Sequence, residues 1–175
     1  EYAKEIKSRI NLNEITPSDK ILPGDAMPHE SMDTTHFSVA DKFGNVTSNT
    51  YTLNSGFGSG IIVDGTGVLM NNEMDDFVSA PGIPNQFGLI GGEANKIEPF
   101  KRPLSSMTPT IVFHKNKPII ATGSPGGSRI ITAVLQFLLN TLDFKMEISD
   151  ATVVPRIHHQ WKPDVLMLEK GFDAE

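Results

Sequence analysis

The sequence predicts an α+β fold with antiparallel strands, on two observations. Alternating residues come in pairs joined by turn residues, "THFSVAD-KFGN-VTSNTYTL" and "TPTIVF-HKNK-PIIATGS", a hairpin pattern rather than one of strands separated by crossover helices. Helical periodicity is gathered late in the chain, where "GGSRIITAVLQFLLNTLDF" is followed by a second helix start, so helices succeed one another. The 175 residues are enough for one domain with a core.

In order, Tyr2, Ile6 and Ile10 share one face of a short charged helix. Residues 11–33 carry prolines, a glycine and acids without periodicity and read as an exposed connector. The composition changes at Thr34, where the first hairpin begins. "IIVDGTGVLM" then offers two short apolar runs across an Asp-Gly turn, and "NNEMDDF" ends them in acids and asparagines. Residues 79–103 are rich in Gly and Pro, and a segment of that length without periodicity is a candidate functional loop. After the second hairpin, with "HKNK" at its tip, Ile130, Val134, Phe137, Leu138 and Leu142 mark the apolar face of the long helix. "EISDATVVPRIHHQW" predicts another helix, with Ser149 as N-cap and Pro155 near its end.

Composition excludes several classes. With 21 acidic and 15 basic residues the formal net charge is −6, which does not suit a nucleic-acid surface or a polybasic membrane anchor. No apolar run is long enough to span a bilayer. With no cysteine there is neither a disulfide framework nor a zinc–thiolate site. The first ten residues are charged and do not form a signal peptide. The absence of an initiator Met and the ending "EKGFDAE" lead us to expect a piece of a longer protein.

Several groups could carry chemistry. Thr34 opens a strand, an ordinary place for a threonine, but it also follows Asp33 at the end of the connector. A threonine hydroxyl needs a base, and cleavage before it would supply one, its own α-amine. That amine has a pKa of about 7.7–8.0 against about 10.4 for lysine, so about one molecule in seven is unprotonated at neutral pH. Glu73, Asp75 and Asp76 read either as a solvated turn or as an anionic socket for an ammonium group; their spacing does not fit a calcium loop. Ser105 and Ser106, between prolines, form a turn or bind a carboxylate. Gly126 and Gly127 before the long helix resemble an anion nest without the nucleotide P-loop pattern, and suit an oxyanion hole. Thr50, Thr52 and Asn54 alternate along one strand as a polar ladder. His158 and His159 are adjacent and so diverge, which argues against a metal site.

Taken together, "TTHFSVAD…GN…TYTLN…GFGSG", "NNEMDDF", "KRPLSSMTPTIV", "GSPGGSRI" and "PRIHHQW" resemble, in order and spacing, the γ-glutamyltranspeptidases of the N-terminal-nucleophile hydrolase superfamily. The resemblance covers about residues 30–170. It implies a four-layer αββα sandwich, incomplete in this chain. Residues 1–33 would be the tail of a large subunit, and residues 34–175 the core of the small catalytic subunit. By the resemblance, Thr34 is the nucleophile, freed by attack of its own hydroxyl on the Asp33 carbonyl, and Thr52 hydrogen-bonds it. Asn54, Glu73 and Asp76 would hold the donor's α-amino group, and Ser105 and Ser106 its α-carboxylate. Gly126 and Gly127 would form the oxyanion hole. "PGIPNQFGLIGG" would be the lid, with Phe87 where several members have a tyrosine.

The reaction implied is ping-pong transfer or hydrolysis of γ-glutamyl groups from glutathione and related donors. Acceptors would be an amino acid, a dipeptide or water; no cofactor, metal, nucleic acid or membrane is implied. The further partner is the rest of the large subunit, which in the family supplies an arginine to the donor carboxylate. Localisation, from the family alone, is periplasmic or secreted. Standing alone and uncut, the 175 residues are expected to be inactive. Two alternatives remain: an acylase for glutaryl- or cephalosporin-type amides using the same threonine, and a non-catalytic binding module. Glu73 and Asp76 argue against the acylase, since a glutaryl chain has no ammonium to pair with them.

Overall fold

The computed structural model describes residues 13–15 and 33–172. The helix read over Tyr2, Ile6 and Ile10 lies outside the described residues, as does most of the connector up to residue 32.

The first hairpin pairs β1 (Thr35–Ala40) with β2 (Val46–Tyr51) from Thr35↔Tyr51 to Ala40↔Val46. Its turn is built by Asp41, whose Oδ1 accepts the N–H groups of Phe43 at 2.8 Å and Asn45 at 2.9 Å. Gly44 supplies the positive φ (87°) there. β3 (Ile62–Val63) and β4 (Val68–Leu69) close across the Asp-Gly turn as read. The next two elements are 3-10 turns, Glu73–Asp76 and Glu93–Asn95. β5 (Thr110–His114) and β6 (Lys117–Thr122) form the second long hairpin. Lys115 and Asn116 both have positive φ at its tip, as a two-residue primed turn requires.

A 3-10 turn, Gly127–Arg129, runs into α1 (Ile130–Leu142), and α2 (Ile148–Val153) follows. β7 (Ile157–His158) pairs with β8 (Met167–Leu168). The mixed helix-and-strand, antiparallel architecture is therefore present, as four two-stranded sheets among the described residues.

The second helix differs from its expectation. Its N-cap is Glu147 with extended backbone, and Ser149 already lies inside the first turn. It ends at Val153 because Val154 precedes Pro155 and is forced out of the helical region (ψ 136°). "RIHHQW" is therefore strand and loop, not helix.

The two long hairpins face each other, β2 against β5 and β6 and β1 against β6. Ser48 Oγ donates to Thr122 O at 2.9 Å between them. α1 packs on α2 and β7. Ile130 (1% exposed) and Val134 bury one face of α1, while Ile131, Leu135 and Leu139 stay exposed on another. Phe77, Val78, Phe87 and Ala151 complete the small buried apolar set. Phe37, Val39, Tyr51 and Phe113 on the hairpins are exposed, a large apolar surface for a chain of this size.

Candidate active site

Thr34 immediately precedes β1, and Thr52 immediately follows β2. The register that sets Thr35 opposite Tyr51 brings these two together as the next pair along, and Thr34 Oγ donates to Thr52 Oγ at 3.3 Å. Thr52 Oγ also accepts the Asn54 N–H at 2.9 Å. The chain turns there through a left-handed residue, Asn54 (φ 76°), a conformation asparagine tolerates better than most side chains. Asn54 is buried; its Nδ2 donates to Asn72 O at 3.3 Å, while Asn72 Oδ1 accepts the Ser55 N–H at 3.0 Å. The end of the first hairpin is thereby fastened to the acidic turn.

In that turn Glu73 and Asp76 are three residues apart, the spacing at which a 3-10 turn stacks side chains on one side. Both line the same cleft as Thr34. Glu73 Oε1 is buried with no hydrogen-bond partner among the described residues, a costly state for a carboxylate oxygen. The Asp76 carboxyl is pushed up to about 8, first by burial, then by the hydrogen bond and charge of Glu73, then by the charge of Asp75. Two acids thus face one space with no cation between them among the described residues.

Ser105 and Ser106 border the cleft from the segment leading into β5. That segment is pinned by Asn95, which accepts the Leu104 N–H at 2.9 Å and donates to Asp76 O at 2.7 Å. On the other side Gly126 (φ 130°) and Gly127 (φ 57°) make the turn into α1, where a side chain would be strained. Gly127 and Ile130 reach the cleft; Gly126 stands just behind. Phe87 closes it and is itself buried. Asn85 Oδ1 accepts the N–H groups of Phe87 at 3.0 Å and Leu89 at 2.9 Å. Gln86 ties this loop to the acidic turn, its N–H donating to Asp75 Oδ2 at 3.0 Å, and Ser55 Oγ donates to Gln86 Oε1 at 3.2 Å.

Thr34, Thr52, Asn54, Glu73, Asp76, Phe87, Ser105, Ser106 and Gly127 therefore share one cleft of about 340 Å³, its mouth included. Asp33 lies beside it, its carboxyl against Gly56, where a Cβ would come within 3.1 Å. Thr50 does not reach the cleft; it pairs with His36 Nδ1 at 2.9 Å. The adjacent histidines diverge, His158 buried and His159 exposed beside Asp164 Oδ1 at 3.0 Å. Met107 and Ile130 also line the cleft; the sequence marks Ile130 only as part of the helix's apolar face and gives Met107 no site signal. The walls offer a threonine hydroxyl, an acidic pair with no cation beside it among the described residues, and hydroxyls with a glycine turn for an anion.

The family model described as Gamma-glutamyltranspeptidase matches residues 1–175. The glutathione hydrolase proenzyme of Escherichia coli is 54% identical over 174 residues, spanning 99% of this chain and 30% of that protein. That of a Pseudomonas species is 51% identical over 169 residues, 97% of this chain and 29% of that protein. This chain thus spans less than a third of the length of these curated relatives. A solved γ-glutamyltranspeptidase of Helicobacter pylori, a Thr-to-Ala mutant, aligns with a TM-score of 0.77 at 58% identity, over 80% of this chain and 76% of that one.

Proposed function

The chain belongs to the γ-glutamyltranspeptidase family, and we propose that it is the nucleophile-bearing part of an enzyme that transfers and hydrolyses γ-glutamyl groups, those of glutathione included. One observation carries the reading: a threonine hydroxyl, two neighbouring carboxyl groups, two serines and a glycine turn converge on one cleft.

In this reading residues 1–33 end a large subunit and residues 34–175 form the core of a small one. The whole builds a four-layer αββα sandwich whose remaining chain covers the exposed apolar faces of the hairpins. Thr34 Oγ first attacks the Asp33 carbonyl carbon; the C–N bond breaks, an ester forms, and water hydrolyses it to leave Thr34 with a free α-amine. In the mature protein that amine takes the hydroxyl proton as Thr34 Oγ attacks the donor's γ-carbonyl. The N–H groups of Gly126 and Gly127 hold the oxyanion. The C–N bond to the leaving amine breaks as that amine takes the proton, and water, an amino acid or a dipeptide then attacks the γ-glutamyl ester.

Glu73, Asp76 and Asn54 hold the donor ammonium, and Ser105 and Ser106 hold its carboxylate, completed by an arginine from the large subunit. An ammonium between Glu73 and Asp76 would satisfy the unpartnered Glu73 oxygen and offset the burial and the neighbouring charges that keep Asp76 protonated. Phe87 and its loop are the lid, and the periplasm or the exterior is the site of action. The test is the intact mass of the full-length protein at neutral pH together with turnover of γ-glutamyl and glutaryl anilides. The expected result is two species split between Asp33 and Thr34 and a γ-glutamyl preference. An uncut but active protein, or a glutaryl preference, overturns the reading.

A further inference from the structure

The sequence motif that the cleft leaves unused is "HHQW". Its His158 and Gln160 lie behind the glycine turn rather than in the site. Ser128, the residue after Gly127, is buried (4% exposed), and its Oγ donates to Gln160 Oε1. The same oxygen meets His158 Nε2 at 2.9 Å. Gln160 Nε2 donates to Lys162 O at 3.0 Å, and because a carbonyl can only accept, this contact fixes which way the amide faces. Oε1 is therefore a double acceptor, and Nε2 of His158 carries a proton. On the other edge of the imidazole, Nδ1 lies 2.7 Å from Thr132 Oγ, which is also 3.1 Å from Arg129 O. His158 is itself buried (5% exposed).

This polar chain grips the start of α1 at Ser128 and at Thr132, one turn apart, from a single strand-and-loop segment. Ser128 directly follows the Gly126–Gly127 turn, whose Gly127 lines the cleft. Two consecutive glycines with positive φ have no side chains to set their own geometry, so their N–H directions depend on what holds Ser128. Oxyanion stabilisation depends on donors already aimed before the charge develops.

We propose that Gln160, held by His158, is a positioning residue for the oxyanion hole: it fixes Ser128 and through it the N–H groups of Gly126 and Gly127. The proposal rests on the oxyanion role given to those glycines above. Gln160 touches neither substrate nor nucleophile; it acts on the transition state through Ser128.

The test uses the full-length processed protein, with active sites counted from the burst of anilide product. Gln160→Met keeps the volume and removes the acceptor, and Ser128→Ala removes the donor. Each should lower kcat by about 10- to 100-fold, less than or comparable to the loss of a whole oxyanion donor, with KM for the γ-glutamyl anilide within about twofold. Affinity for a γ-glutamyl boronate, which forms a tetrahedral adduct on the threonine, should fall by the same factor as kcat. The double variant should be no worse than the weaker single one, because both act through one contact. Unchanged kcat, additive losses, or a rise in KM without loss of boronate affinity overturns the proposal. If Gln160→Met does not fold or process, Ser128→Ala with the same readouts decides. A wild-type protein that does not turn over γ-glutamyl anilide would instead remove the activity itself, and is seen before any variant is compared.

Discussion

The Thr34 hydroxyl donates to the Thr52 hydroxyl at 3.3 Å, and the Thr52 oxygen accepts the Asn54 N–H at 2.9 Å. Thr52 is thus the joint between Thr34, the proposed nucleophile, and the turn that leads to the acidic pair. Thr52→Val keeps the shape and removes the oxygen, leaving the Asn54 N–H without its acceptor and Thr34 Oγ without a partner that fixes its rotamer. We expect slower cleavage after Asp33 and a kcat lower by about 100-fold, the usual scale for misplacing a reacting group. Mass spectra over time and single-turnover kinetics check both; unimpaired cleavage and turnover would remove Thr52 from the mechanism.

Gly123 follows β6 on the way to the glycine turn and packs against His36 of β1. A Cβ there would lie 2.2 Å from His36 Nδ1 and 2.4 Å from Cε1. His36 is tethered on both sides, to Thr50 Oγ at 2.9 Å and Ser38 Oγ at 3.1 Å, so its ring cannot swing aside without breaking these bonds. Gly123→Ala should destabilise the protein by about 1–3 kcal/mol, the range for overpacking a filled site. Chemical denaturation of the full-length protein measures it, and an unchanged midpoint would mean that β1 and β6 separate freely.

Local chemistry made much of this molecule readable from its residues. Asp41 and Gly44 write the first turn, Lys115 and Asn116 the second, and the Ile130–Val134 spacing gives α1 its buried face. The cleft residues were found through motif order, because Thr34, Glu73 and Ser106 are far apart in sequence and no periodicity links them. What remained unreadable depends on tertiary partners. Ser149 has the chemistry of an N-cap, yet α2 starts one residue earlier. Thr50 alternates with Thr52, but the strand ends at Tyr51 and the turn at Asn54 sends the two side chains to different neighbours. The Ser128–Gln160 contact spans 32 positions, and neither residue type signals it.

The lid carries its own test. Asn85 Oδ1 is the acceptor for two successive loop amides, those of Phe87 and Leu89, and the Asn85 N–H donates to Leu89 O at 3.0 Å. Asn85→Ala removes both side-chain bonds while leaving Phe87 in place. Each is worth about 1 kcal/mol, so hydrogen exchange at the Phe87 and Leu89 amides should quicken by about 10-fold or more. With the loop acting as the proposed lid, which would retain substrate rather than react with it, KM for a γ-glutamyl anilide should rise more than kcat changes. Exchange no faster than in the wild type would mean that Asp75 and Ser55, through Gln86, hold the loop without Asn85.

Asp76 gives the site a pH signature whose direction follows from its cause. Burial, then the bond and charge of Glu73, raise its folded value from the ordinary 3.8 to about 8. A carboxyl shifted upward favours the fold while it is protonated: the benefit is complete below about pH 4 and is lost as pH rises through about 8. Asp76→Asn cannot ionise, so its thermal midpoint should match the wild type near pH 4 and exceed it increasingly towards pH 9. In the proposed function the donor ammonium requires the opposite state, since it would pair with the ionised carboxylate. Donor binding at pH 7 should therefore release close to one proton from the wild-type site, and affinity should strengthen as pH rises towards 8. Calorimetric titration in two buffers of different ionisation enthalpy counts that proton. A midpoint difference independent of pH would mean that the fold does not raise Asp76, and binding without proton release would place the donor's ammonium away from Asp76.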